Sequence, residues 1–238
     1  MPLNLIQPLH QKTTMPLNVI LTGSTGMIGK SVLLECIDNP DISSVLVINR
    51  KESGMKHLKI REIVHADFND FSGLRGRLQG YDACFFCLGV SSAGMNETAY
   101  HKITYDITTK FALHLLKENT NMVFCYISGA GTDSSEKGRI MWARVKGKTE
   151  NALLAMPFKA CYMFRPGYIQ PLRGIRSRTP SYNAFYSIMK PLYPLLKLMG
   201  SWVTNTETLA KAMIRVVMTG YPKKILENKD INIIGGPA

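Results

Sequence analysis

Val19-Ile20-Leu21-Thr22-Gly23-Ser24-Thr25-Gly26-Met27-Ile28-Gly29-Lys30 decides how this chain folds. A β-branched run breaks into three glycines spaced G-x-x-G-x-x-G, and an amphipathic helical pattern starts at once. Strand, glycine turn and helix in that order are the context in which a dinucleotide fingerprint has physical meaning. Gly23 lets the backbone turn sharply out of the strand. Gly26, without a Cβ, lets N–H groups approach a pyrophosphate, and Gly29 lets the helix close on the strand. Phosphates placed there meet unpaired N–H donors and the positive end of the helix dipole. Thr22, Gly23, Ser24, Thr25, Gly26, Met27, Ile28 and Gly29 are therefore the expected phosphate-binding residues.

Outward from the turn, Ile28, Val32, Leu33, Cys36 and Ile37 recur at helical spacing and stop before Pro40. Ser44 to Asn49 reads as the second strand. NAD-preferring folds place an acid about 20 residues past the glycines to hold the ribose hydroxyls. This chain has Asn49 there, followed by Arg50 and Lys51. Two cations suit a 2′-phosphate, so NADP(H) is favoured and NAD(H) remains admissible. Ile60 to His65 is a third strand, ending in Ala66-Asp67-Phe68. Asp67 there either accepts from an adenine amino group or caps a helix, with Phe68 beside it against the cofactor. Tyr81 to Leu88 is a continuous apolar strand of the kind buried on both faces. Cys87, Leu88 and Gly89 end it, and Gly89 lets the backbone lie against the cofactor.

A long helix is expected from about Glu97 to Glu118, with His114 as a core or interface histidine on its apolar stripe. Met122 to Ile127 is a fifth strand running into Ser128, and the following helix carries Trp142 and Lys146 on one face. Lys159 to Phe164 is a sixth strand, followed by Arg165-Pro166-Gly167. This alternation predicts an α/β fold, a Rossmann-type doubly wound parallel sheet. Residues 15–238 form its single domain, with a small substrate-covering lobe over about 166–210. Residues 1–14 read as an appended, disordered extension, because Met1-Pro2-Leu3-Asn4 recurs as Met15-Pro16-Leu17-Asn18. Thr204-Asn205-Thr206-Glu207 reads as a capping box, and Ile231 to Ile234 as a last strand or packed tail.

Composition narrows the function classes. The net charge is +12 over 238 residues. From Lys137 to Arg178 ten Lys or Arg accompany a single acid, Glu150. No RNA- or DNA-binding motif accompanies that block, so no specific nucleic-acid partner is expected; a polyanionic cofactor, an anionic small substrate or a membrane surface uses the same field. Five cysteines form no disulfide framework and point to a reducing, cytoplasmic home. Cys84 and Cys87 sit three apart on a strand and face opposite ways, and the five histidines lack ligand spacing, so no metal is expected. Ala184 to Val203 is apolar but carries Lys190, Pro191, Pro194 and Lys197, which suits a lid, a dimer face or a membrane-surface patch rather than a transmembrane helix. Monomer and homodimer both fit.

With these residues in place, the chain resembles the extended and atypical short-chain dehydrogenase/reductases from about Leu17 onward. Thr22-Gly23-x-x-Gly26-x-x-Gly29 is similar to that family's cofactor loop, and Cys87-Leu88-Gly89 to its strand-four motif. Ser128, Lys146 and Arg165-Pro166-Gly167 match its later positions, and Glu207-x-x-Ala210 its late helix. Val145-Lys146-Gly147-Lys148-x-Glu150 and Phe164-Arg165-Pro166-Gly167 look closest to the Tat-interacting-protein-type oxidoreductase branch, many of whose bacterial relatives are labelled epimerase/dehydratase-like. The resemblance implies that Lys146 holds the nicotinamide ribose, against a reading as a surface lysine or cation–π partner of Trp142. It implies that Ser128 polarises a substrate carbonyl, against a strand-end cap, and that Arg165 and Pro166 border the cofactor.

One departure weighs against simple inheritance. The family's Tyr-x-x-x-Lys is here Trp142-Ala143-Arg144-Val145-Lys146, and an indole N–H donates a hydrogen bond but does no acid–base work near neutral pH. The family's helix-four asparagine is also missing from Thr104-Tyr105-Asp106. Tyr105, Tyr168 or a bound water is then the candidate relocated acid. Arg165 and Arg173 either hold an anionic substrate group or make structural ion pairs. Three functions follow as expectations: an NADPH-dependent oxidoreductase acting on a small carbonyl substrate, an NADPH-binding regulator with little turnover, and a nucleotide-sugar epimerase or dehydratase.

Overall fold

In the computed structural model, which describes residues 15–176, 193 and 202–236, the β-branched run around Val19 becomes β1 (Leu17–Thr22), at the middle of a parallel sheet. Its neighbours are β2 (Ile42–Asn49) and β4 (Ala83–Phe86), with β3 (Ile60–Val64) outside β2. On the other side follow β5 (Val123–Ile127), β6 (Ala160–Arg165) and β9 (Ile225–Glu227). The spatial order is β3-β2-β1-β4-β5-β6-β9, and every pairing is parallel. The strand order reverses between β1 and β4. In open α/β sheets the crevice beyond the carboxyl ends at that point takes the ligand.

Both faces of the sheet are covered because its strands are apolar on both sides. Val19, Leu21, Val45, Val47 and Phe85 pack on one face beneath α1 (Met27–Asp38) and α5 (Thr206–Thr219). Ile20, Leu46, Ile48, Phe86 and Phe124 pack on the other face with Phe111 and Leu115 of α3 (Ile107–Glu118) and Leu153 of α4 (Met141–Leu154). Cys84 lies in the second cluster while Cys87 packs against the first, as the strand period requires.

The helix expected over Glu97 to Glu118 is broken into three pieces. α2 (Glu97–His101) passes through a π-helical turn, Lys102–Asp106, into α3. Beyond β6 a small two-stranded sheet pairs β7 (Tyr168–Gln170) with β8 (Val203–Asn205). α5 belongs to the main body, since Leu209 and Ala210 are fully buried in its core. Its N-cap is Asn205, whose side chain accepts from the Thr208 N–H at 2.8 Å, one residue later than the capping box predicts. Ile231 to Ile234 form neither strand nor tail but part of α6 (Asn228–Gly235). The main sheet gains its seventh strand from Ile225–Glu227 instead. Residues 1–14 and most of Ala184 to Val203 lie outside the described residues. Among the described residues no helix is long and apolar enough to cross a membrane.

Candidate functional site

The carboxyl ends of β1, β2 and β4 border a cleft of about 640 Å³, within the range of small-molecule and cofactor sites. Gly23, Thr25 and Gly26 floor it, Cys87, Leu88 and Gly89 wall it from β4, and Ile48, Asn49, Arg50, Lys51, Ala66 and Phe68 close the far end. Close backbone approach accounts for Gly23 and Gly29. Gly23 has φ +73°, and a Cβ on it would sit 2.6 Å from the Cys87 carbonyl oxygen. A Cβ on Gly29 would collide with the Gly23 carbonyl. Gly26 is the N-cap of α1, whose first turn has no side-chain cap and no acid, so its N–H groups open towards the cleft. Gly89 meets nothing within 4 Å of an added Cβ and leaves backbone surface open. Thr22, at the end of β1, has a buried hydroxyl with no hydrogen-bond partner.

Ser24, Met27, Ile28 and Gly29 shape the turn from behind rather than line the cleft. Ser24 is buried and accepts from Asn49 Nδ2 at 2.8 Å. Asn49 donates also to Glu62 Oε1 at 2.9 Å, and Glu62 accepts from the Ser53 N–H at 2.9 Å and hydroxyl at 3.1 Å. Both amide hydrogens of Asn49 are thereby engaged, and Arg50 and Lys51 are exposed beside it. Asp67 is neither an N-cap nor turned wholly to the cleft. Its Oδ1 accepts from the Asn69 N–H and side-chain amide, both at 2.8 Å, and these bonds hold its carboxyl below the usual range.

One strand further along the carboxyl edge, the second half of the expected site is built differently from the resemblance. The Ser128 hydroxyl is buried and donates inward to Glu150, with the Phe164 carbonyl at 3.0 Å. It therefore does not face the cleft as a carbonyl-polarising group must. Glu150, fully buried on α4, also holds Arg165, whose Nε lies 3.1 Å from Oε1. Arg165 continues to Glu227 at 3.2 Å and to the Ser134 hydroxyl at 2.6 Å. Arg165 is thus a structural hub, and Pro166 is buried behind it. Arg173 pairs with Asp38 at 2.8 Å and Glu35 at 3.3 Å at the far end of α1, so its ion pairs are structural too.

Lys146 is half-buried, and its Nζ donates to the Ser128 carbonyl at 2.7 Å, with the Ile127 carbonyl at 3.4 Å. It lies 5.9 Å from the centre of the Tyr126 ring, so its aromatic neighbour is Tyr126 and not the expected Trp142. Burial brings its pKa down to about 8, against the pull of Glu150. Trp142 stands beside Gly131 in the loop after β5. Tyr105 is not next to Lys146. Its ring packs on His101 at 4.6 Å and under Lys148 Nζ at 4.9 Å, and positions two apart on a helix do not share a face. The Tyr168 hydroxyl donates to Gln170 at 2.8 Å within the small sheet, and burial raises its pKa. His114 is half-buried, 3.8 Å from Glu118, with its pKa lowered by burial.

Sequence reasoning missed the roles of Glu62 and Glu150. The usable signal for Glu150 was its isolation, as the single acid between Lys137 and Arg178 and four residues after Lys146. Among the described residues no group of three or more His, Cys, Asp or Glu is placed to hold a metal.

Residues 19–134 match the NAD dependent epimerase/dehydratase family. Protein fmp52, mitochondrial, of Emericella nidulans is 26% identical over 205 residues, covering 83% of this chain and 85% of that protein. Protein HTATIP2 of Rattus norvegicus is 25% identical over 154 residues, covering 64% of this chain and 62% of the relative. Among solved structures, ADP-L-glycero-D-manno-heptose-6-epimerase of Helicobacter pylori superposes with a TM-score of 0.63 at 16% identity, over 93% of this chain and 83% of its own. The Bordetella bronchiseptica enzyme WbmF, solved with NAD+, gives 0.63 at 18% identity, over 93% and 79%. The mitochondrial names of the fmp52 relatives overturn the cytoplasmic expectation. Unpaired thiols indicate a reducing compartment and do not say which one. The NAD-dependent family and the NAD-bound neighbours support a nicotinamide cofactor. Glycine turn, strand order, the family match over residues 19–134 and the relatives agree in supporting an extended short-chain dehydrogenase/reductase-like superfamily.

Proposed function

We propose that this protein is an NADPH-dependent oxidoreductase acting on a small carbonyl compound. The carrying observation is the cleft at the strand-order reversal, floored by Gly23 and Gly26 and closed by the exposed cations Arg50 and Lys51. The open N–H groups of α1 suit a pyrophosphate, and the two cations suit a 2′-phosphate. The partnerless Thr22 hydroxyl and the bare backbone at Gly89 fit a ligand lying along the strand ends. When bound, the dinucleotide supplies hydride chemistry. The chain's own residues grip it and place Lys146 at the next strand end. A carbonyl substrate held beside it would take that hydride at carbon and need a proton at oxygen. In this reading the Lys146 ammonium, directly or through a water, gives that oxygen its proton.

Fluorescence titration with NADPH and NADH tests the binding, and oxidation at 340 nm across a panel of carbonyl compounds and nucleotide sugars tests the chemistry. Replacing both Arg50 and Lys51 by Ala is expected to weaken NADPH binding about tenfold or more while leaving NADH nearly unchanged. A chain with no affinity for either coenzyme overturns the proposal. A second reading, a coenzyme-binding regulator with little turnover, is favoured by the inward Ser128 hydroxyl and by Trp142 in the tyrosine's place. Tight NADPH binding with no turnover across the panel selects it.

A further inference from the structure

Glu150 has no exposed surface, and it lies in the most cationic part of the chain. A buried carboxylate is tolerated only with partners, and each partner here belongs to a different element. Its oxygens take the Ser128 hydroxyl from the end of β5 and the guanidinium of Arg165 from β6. Lys146 sits one helical turn earlier on the same face of α4. Its ammonium donates to the backbone carbonyl of that same Ser128 at 2.7 Å. One turn of α4 therefore holds Ser128 at both ends, hydroxyl by Glu150 and carbonyl by Lys146.

We propose that Glu150 is the positioning residue for Lys146: by gripping the Ser128 hydroxyl it turns the Ser128 carbonyl onto the ammonium, and it supplies the buried countercharge that keeps Lys146 a cation at the end of β5. This rests on the reading above, in which Lys146 serves the coenzyme end of the site. The groups facing Lys146 are Glu150 from its own helix, the Tyr126 ring from β5, and the Ile127 and Ser128 carbonyls. Behind Glu150 stand Arg165 and then Glu227, which balance its charge on the side away from Lys146. Burial and Glu150 act on Lys146 in opposite directions, as the geometry requires.

The experiment follows the Lys146 side chain directly, by 13Cε and 15Nζ lysine NMR of the full chain, assigned with Lys146→Arg. NADPH affinity is measured over the same pH range. In the wild type the Lys146 midpoint is expected near 8, with NADPH binding weakening above it. Glu150→Gln removes the countercharge and leaves burial unopposed at Lys146, so the midpoint falls by about one unit or more. Glu150→Gln with Arg165→Met removes both buried charges, a change that folds tolerate better than losing one, and its midpoint also falls. Glu227→Gln, which touches only the outer end of the network, leaves it in place. A folded Glu150 variant with the wild-type midpoint overturns the proposal. A midpoint that moves in a chain binding neither coenzyme overturns the oxidoreductase reading and keeps the clamp. A midpoint that stays in a chain that binds NADPH does the reverse.

Discussion

Gly29 and Gly89 both look like cofactor-loop glycines in the sequence, yet the structure gives them different jobs and different expected mutant behaviour. A Cβ on Gly29 runs into the Gly23 carbonyl, which is backbone and has no way to yield. Gly29→Ala should cost about 1–3 kcal/mol in urea unfolding and weaken NADPH together with the fold. Gly89→Ala meets open space, so stability should stay within about 0.5 kcal/mol of wild type while NADPH affinity drops about tenfold. Lys146 adds a pH signature. Its folded pKa, about 8, lies below the ordinary lysine value because burial disfavours the cation. Between those two values the unfolded chain binds the extra proton, so this residue's contribution to stability rises as pH increases through that window and is lost as pH falls through 8. The difference in melting temperature between wild type and Lys146→Met should therefore shift in favour of wild type from pH 8 to 10. At this scale the sequence was most informative where spacing alone sets the chemistry, as in the glycine turn. It was least informative where a side chain has a choice of direction. Ser128 and Arg165 occupy the expected positions, but the buried carboxylate of Glu150 draws both inward. A carboxylate's partners depend on which strands come together, which no local pattern states.

Among the elements, α5 was predicted with its cap one residue early, and the structure explains the slip. Thr204 and Glu207 satisfy the capping-box spacing, but Thr204 lies in β8, where its buried hydroxyl has no hydrogen-bond partner. Asn205 caps the Thr208 N–H instead. Asn205→Ala should lower stability by about 1 kcal/mol, whereas Thr204→Val should leave it equal or higher, since a desolvated hydroxyl without a partner is replaced by an isosteric methyl. Paired chemical-denaturation curves distinguish the two registers. The π-helical turn at Lys102–Asp106 was invisible for a related reason. One extra residue in a turn barely disturbs the apolar stripe. The carbonyls it loosens are taken up locally, Thr104 by the Thr108 hydroxyl at 2.6 Å and Tyr105 by that of Thr109 at 2.8 Å. That extra residue helps bring Tyr105 under Lys148, on the neighbouring helix and away from Lys146. The first six strands of the main sheet were legible to within about two residues at either end, because continuous apolar runs bounded by glycine or polar turns have few other readings. The three-residue strand Ile225–Glu227 carried too little pattern to be seen.

Seen as a whole, the molecule places its glycine turn, its cations and its half-buried lysine along one edge of a sheet, and the strand order β3-β2-β1-β4-β5-β6 makes that edge continuous. The alternation of strands and helices predicted a doubly wound parallel sheet, because right-handed crossovers leave few alternatives. The outermost strand, Ile225–Glu227, was not predicted. Glu227 on β9 also provides the outer partner of Arg165, so the last strand closes both the sheet and the buried charge network. Synthesis by the ribosome gives that arrangement a timetable. While the segment beyond Gly220 is still inside the exit tunnel, β6 presents a bare row of N–H and C=O groups, an adhesive template for a neighbouring nascent chain. A polypeptide terminated after Gly220 should accumulate as aggregate, read as loss of the soluble fraction, and adding back the missing residues as a separate peptide should restore part of it. Solubility of the newborn protein thus turns on how soon Ile225–Glu227 reaches the exposed side of β6.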